Sequence, residues 1–263
     1  MGQVCPKLCV VFMKSTPLAV RAEKVTSSSI LLLGVLLIAA NLRAPITALG
    51  PVLGQVQQFF SITPVGAGFL NALPLVMFAL GAPMAPWLTR RLGLERALFV
   101  ALVLIAAGCL ARSDSSITGL WFGTLFIGAG IAMANVLVVP LIKRDFPEHT
   151  ALCIGLYAAT MALMAALASG IAAPLSVLTH YTWRLSLGCW SCLALVAMVL
   201  WLPHLRQVAK SGSSASSAFG KAIWRSGIAW QVSMFMALQT MTFYTLIDWY
   251  PAIAGSSGIS ATE

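Results

Sequence analysis

An all-helical membrane protein is the fold class this sequence predicts, on three observations. Hydrophobic residues make up 59% and charged residues 9% of the 263 residues. A soluble domain is nearer 45–50% and about 25%, so there are too few charges here to coat a globule. Apolar residues come in runs of about 20, the length that crosses a bilayer as a helix. The Lys and Arg residues sit in short clusters between those runs. The net charge of +9 therefore reads as a topology signal and not as a nucleic-acid surface.

Seven spans are expected, at about 29–53, 66–88, 97–111, 118–142, 151–175, 183–202 and 228–253. Residues 1–29 read as a cytoplasmic tail, with Met13 a candidate initiator. The apolar run after Lys7 is short for a secretory signal, and no small-residue cleavage site follows it. The first span holds Pro45 and Pro51 and is expected to continue, kinked, to Phe60. The domain plan is then a six-helix unit over 30–203, a linker over 204–225 and a further helix within 226–263. The linker contains Lys210-Ser-Gly-Ser-Ser-Ala-Ser-Ser-Ala-Phe219, the composition of a flexible connection.

Orientation follows from the cations. The tail, the loops after the second and fourth spans and the linker together hold 13 of the 16. The opposite loops hold Arg112 and Arg184, and Arg43 lies inside the first span. The positive-inside rule places the N-terminus in the cytoplasm. Seven spans then place the C-terminus outside, in the periplasm.

A weak repeat is also legible. Ala48-Leu-Gly-Pro-Val-Leu53 ends the first span and Asp248-Trp-Tyr-Pro-Ala-Ile253 the seventh, with Pro51 and Pro251 in register. Polar stretches follow both, Ser61-Ile-Thr-Pro and Gly258-Ile-Ser-Ala-Thr. Such repeats mark transporter halves. The expectation is that a second half has begun and that about five helices are missing from this chain; coincidence of two prolines is the alternative.

Arg43 is the residue that most needs explaining. A guanidinium at the bilayer centre costs about 2.5–3.5 kcal/mol on insertion scales. The acidic residues are Glu23, Glu95, Asp114, Asp145, Glu148, Asp248 and Glu263, and none falls within the first six expected spans. Arg43 thus suits an anion or a ligand with strong acceptors, which its planar fork can bind in charge-assisted bonds. Snorkelling to the outer interface is the other reading. Thr47 shares its helical face, whereas Asn41, two residues away, does not. The candidate substrate-binding set is Arg43, Asn41, Thr47 and Asn135. Asn71, Tyr157, Gln239, Thr242 and Tyr244 are further polar residues at membrane depth, able to line a cavity or to bond a neighbouring helix.

Other motifs read as packing. Gly123, Gly128, Gly130 and Ala134 on the fourth span, and Ala158, Ala162, Ala165, Ser169 and Ala173 on the fifth, suit close helix crossings. Cys189-Trp-Ser-Cys192 has redox spacing but falls in an apolar run, where a buried thiol is the better reading. There is no HExxH and no metal-ligand cluster; His149, His180 and His204 lie in loops. No enzyme, metal or cofactor is expected.

The loop after the second span, Gly81-Ala-Pro-Met-Ala-Pro-Trp-Leu-Thr-Arg-Arg-Leu-Gly-Leu-Glu-Arg96, resembles the signature of the major facilitator superfamily. Arg91-Leu-Gly93 and Arg96 fit; the family's aspartate would fall at Arg90. Gly128 and Gly130 match its fourth-helix motif, with Thr124 at the arginine position. Asn41-Leu-Arg-Ala-Pro, Leu73-Pro-Leu-Val-Met-Phe-Ala-Leu, Pro140-Leu-Ile-Lys-Arg-Asp-Phe-Pro147 and Trp249-Tyr-Pro251 look like its cyanate and 2-nitroimidazole transporter branch. The resemblance implies the six-helix N-terminal half of a twelve-helix bundle, plus one helix of the second half. It implies secondary transport of a small anionic or polar molecule across the bacterial inner membrane. The partners implied are the lipid bilayer, the substrate and a missing C-terminal half. A truncated, non-transporting fragment of such a transporter is the alternative.

Overall fold

A computed structural model describes residues 18–178, 182–206 and 226–256. Its contacts fall into two units, Met1–Leu33 and Gly34–Glu263, and the bundle and its candidate site lie in the second. Helices make up nearly all of it, with no strand among the described residues.

The first apolar run forms α1, Leu18–Thr47, a short 3-10 turn at Gly50–Val52, and α2, Leu53–Phe60. Two prolines cause the break. Pro45 and Pro51 have no N–H to give the helical ladder. Past Pro45 the bonding tightens: Ala48 still donates to Ala44 at 3.1 Å, but Leu49 donates to Ile46 at 3.2 Å. As the sequence predicts, the chain bends and carries on to Phe60, and Ser29–Phe60 is a 32-residue apolar run. Arg43 lies near its middle. Pro251 behaves differently from Pro51, because the helix runs through it.

Ser61 ends α2 in the left-handed conformation, φ 52°. Helix α3, Pro64–Gly81, starts with Pro64 in its first turn and the Thr63 hydroxyl accepting from the Gly66 N–H at 3.2 Å, an ordinary N-cap. Then come α4, Met84–Leu92, and α5, Leu94–Arg112. Gly93 joins them at φ 86°, where a Cβ would be strained. Next are α6, Ile117–Asp145, and α7, Thr150–Leu178. The sixth span is divided into α8, Thr182–Gly188, and α9, Trp190–Trp201. Finally α10 covers Gly227–Ser256.

Six candidate membrane spans lie among the described residues: Ser29–Phe60, Pro64–Gly81, Leu94–Arg112, Ile117–Asp145, Thr150–Ser176 and Trp183–Leu205. They match the first six expected spans, with shifted ends. The third is the instructive case. The expected 97–111 is too short to cross a bilayer; the observed helix takes in Glu95 at one end and Arg112 at the other, both buried. Two charges expected in loops therefore belong to the bundle. Asp145 likewise closes α6.

Helices α5 and α6 form the tightest pair, and glycines make it possible. A Cβ on Gly123 would lie 2.6 Å from the backbone N of Arg112 and from the Gly108 carbonyl oxygen. One on Gly130 would lie 2.6 Å from the Ala101 carbonyl oxygen. Gly128 meets α3 instead, 2.9 Å from Pro74 Cα. The packing role expected of these glycines is thus observed. The alanine stripe expected on α7 needs correction: Ala158 and Ala162 are exposed, and the buried face is Cys153, Tyr157, Ala165, Ala168 and Ala172. The side chain of Ala173 lies outside those described.

A core beyond the α1 bend gathers Ala44, Leu49, Val52, Val56, Leu70 and Trp183, with α7 supplying Ala168 and Ala172. At the other end of the bundle, the Trp201 indole donates to the Glu95 carbonyl at 3.1 Å, and its ring packs so close to Gly34 that a Cβ there would lie 3.1 Å from it. Glu95 also pairs with Arg144 at 2.7 Å, tying the start of α5 to the end of α6. Apart from the half-buried Ala229, the described side chains of α10, among them Ile228, Trp230, Phe235 and Met241, are exposed. Of the thiols, Cys109 and Cys153 are buried, Cys189 is half-buried and Cys192 is exposed, all free. Cys192 faces outward from the sixth candidate span.

Candidate functional site

Three helices bring a polar cluster together in the apolar bundle. Arg43 extends from α1 and is half-buried. The Tyr157 side chain on α7, with its hydroxyl, lies within electrostatic reach of that charge. That hydroxyl donates to Asn135 Oδ1 on α6 at 3.0 Å. Tyr157 is 5% exposed and Asn135 half-buried. Arg43 is further engaged by its surroundings. The cluster offers a fixed positive charge, amide donors and a phenol within one region, a set that can receive a small acceptor-rich molecule.

The other α1 candidates point elsewhere. Asn41 is fully buried; its amide donates to Leu37 O at 2.8 Å and to Leu193 O of α9 at 3.3 Å. Its Oδ1 has no protein partner. Thr47 is 3% exposed, and its hydroxyl donates to the Arg43 carbonyl at 3.1 Å, as residues four apart on one helical face can. Asn71 on α3 is half-buried. Gln239 and Thr242 are exposed on α10, and the Thr242 hydroxyl donates to Leu238 O at 2.9 Å. The side chain of Tyr244 lies outside those described.

Sequence reasoning misses Arg112. The expected spans leave it in an outer loop, but it is 1% exposed, and its Nη2 donates to the Pro45 carbonyl at 2.6 Å. The shortness of the third expected span is the signal, since a crossing helix has to absorb flanking residues. Arg184, the other outer cation, bonds the Ser113 carbonyl at 3.2 Å and the Ser115 hydroxyl. Beside it is an open recess of about 250 Å³ lined by Leu110, Ser113, Arg184, Leu185 and Gly188. None of the Arg43 cluster borders that recess. At the position of the family's fourth-helix arginine, Thr124 is buried and donates to Leu120 O at 2.8 Å.

Comparison with known proteins gives a consistent result. A family model described as Major Facilitator Superfamily matches residues 31–263. The chain is 42% identical over 229 residues to "Uncharacterized transporter YycB" of Bacillus subtilis (strain 168), covering 87% of this chain and 57% of that protein. It is 42% identical over 235 residues to "2-nitroimidazole transporter" of Escherichia coli (strain K12), covering 89% and 60%. It is 30% identical over 232 residues to "Cyanate transport protein CynX" of the same organism, covering 88% and 60%. The chain thus spans 57–60% of the length of these relatives.

Proposed function

We propose, for a chain that belongs to the major facilitator superfamily, that it is part of a secondary transporter moving a small anionic or polar molecule by alternating access. The chain is a multi-pass membrane protein. Its six spans are the N-terminal half of such a bundle, and Gly227–Ser256 is the first helix of the second.

The observation that carries the reading is the half-buried Arg43 near the middle of the first span, within electrostatic reach of the Tyr157–Asn135 hydrogen bond. Arg43 is the substrate clamp. Its planar fork matches a nitro group, with two acceptor oxygens, or a small anion such as cyanate. Asn135 and Tyr157 flank the bound molecule. Asn41 and Thr47 act from behind, holding α1 against α9 and setting the backbone at Arg43. Relatives named for 2-nitroimidazole and cyanate transport support a substrate of this class. The N-terminus is cytoplasmic and the membrane is the bacterial inner membrane, as the cation clusters favour. The unit boundaries proposed are those of the sequence, 30–203 for the six-helix half and 204–225 for the linker.

Uptake of 2-nitroimidazole and cyanate tests this, with the chain expressed alone and together with a separately expressed C-terminal half taken from the 2-nitroimidazole transporter. Arg43→Ala is expected to lower uptake at least about tenfold, about 1.4 kcal/mol, with unchanged membrane insertion. Arg43→Lys restores only part of it, because an ammonium lacks the fork. Normal uptake by Arg43→Ala overturns the clamp. No uptake in either arrangement favours a non-transporting fragment.

A further inference from the structure

Arg112 is the second arginine inside the bundle, and it has no part in the clamp. It closes α5 and is among the largest fully buried side chains. Among the described residues no carboxylate is within ion-pair distance of it. A buried cation without a carboxylate is costly, so other groups must offset it. Two helix ends do. Arg112 sits in the last turn of α5, where the macrodipole presents partial negative charge. Its Nη2 also meets the last turn of α1, at the Pro45 carbonyl, 2.6 Å away.

That carbonyl is a consequence of the bend. In a regular helix it would accept from Leu49, but Leu49 donates to Ile46 instead. Pro45 is buried away from water, so a carbonyl freed there needs a protein donor. Arg112 supplies one, and with a charge, which roughly doubles the strength of the bond. The position is two residues from Arg43. Straightening α1 at Pro45 would rotate the two sides of the break against each other and re-aim Arg43.

We infer that Arg112 is a positioning residue: by clamping the Pro45 carbonyl it holds the bend of α1 and so sets the direction of Arg43, two residues away. The inference rests on the reading of Arg43 as the clamp, but its test is independent of substrate. The reporter is Ala48→Cys, at a position fully buried just past the bend. In membranes of cells expressing the full chain, alkylation of the introduced thiol by a membrane-impermeant maleimide is timed by mass spectrometry of the peptide that carries it. Protection is expected in the otherwise unaltered chain and, within about twofold, in Arg112→Lys, which keeps a charged donor. Arg112→Met, close in volume but without donor or charge, is expected to speed labelling at least tenfold. If Arg112→Met fails to insert, Arg112→Gln takes its place, with the same expectation on a smaller scale, at least threefold. Inserted Met or Gln variants as protected as the unaltered chain would overturn the inference. So would Arg112→Lys exposing the introduced thiol as fully as they do, since a charged donor would then not be what holds the bend. Uptake is not read, so loss of the clamp reading alone leaves this result standing.

Discussion

Gly123 and Gly155 offer a paired test of how the bundle is held. Both are helical glycines, on α6 and α7. A methyl group at Gly123 would lie 2.6 Å from two backbone atoms of α5 and 2.9 Å from Arg112 Cβ. At Gly155 there is nothing within 4 Å. Carbon contacts are most favourable at about 3.5–4.0 Å, so Gly123→Ala forces α5 and α6 apart by roughly 1 Å. A gap of that size forfeits about a quarter to a half of each dispersion contact along the seam. Overpacking of this kind costs about 1–3 kcal/mol. The three close contacts involve no flexible side-chain end, which places Gly123→Ala at the upper part of that range. The gain in helix propensity on replacing glycine, about 1 kcal/mol, is common to both variants and cancels in the comparison. Gly155→Ala is then neutral or stabilising, and Gly123→Ala is less stable than it by about 2–3 kcal/mol. Equilibrium unfolding of the purified chain in mixed detergent measures both. Equal stability of the two alanine variants would refute the reasoning, because it would mean that the helices do not approach as closely as described.

Three further outcomes are expected. Tyr157→Phe removes the hydroxyl bonded to Asn135 and is expected to weaken substrate binding about fivefold, about 1 kcal/mol, as measured by substrate-induced thermal shift, with insertion unchanged. Gly93→Ala places a Cβ on a residue at φ 86° and is expected to cost about 1–2 kcal/mol in the same unfolding assay. Glu95→Gln replaces a buried carboxylate, 10% exposed, that pairs with Arg144; a loss of about 1–3 kcal/mol is expected, changing little with salt because a buried pair is weakly screened, which a melting series at increasing salt would read.

How much of the site was legible depends on the residue. Arg43 stood out because a charge in an apolar run is rare for an energetic reason that needs no fold to state. Asn135 was legible as a candidate substrate-binding residue, and Tyr157 only as a polar residue at depth. That they bond each other across 22 residues is a matter of how α6 and α7 pack. Asn41 looked as promising as Asn135, and the difference lies in the direction α1 presents it, toward Leu193. The stripe on α7 shows the same limit. Around a membrane helix lipid and protein are nearly alike in polarity, so small and apolar residues do not mark the buried face as they do in water.

The sequence by itself determined the membrane class, the number and rough position of the first six spans, the break between Pro45 and Phe60 and the tight use of Gly123, Gly128 and Gly130. These follow from local quantities: apolar length, a missing N–H, the absence of a side chain. The tertiary structure alone decided that Arg112 and Glu95 belong inside the bundle, that Arg112 answers the carbonyl released at Pro45, and that Tyr157 and Asn135 bond each other. Each depends on which atoms of different helices come within hydrogen-bond distance of a given side chain. The positions of those atoms are set by the packing of the whole bundle and by no short stretch of chain.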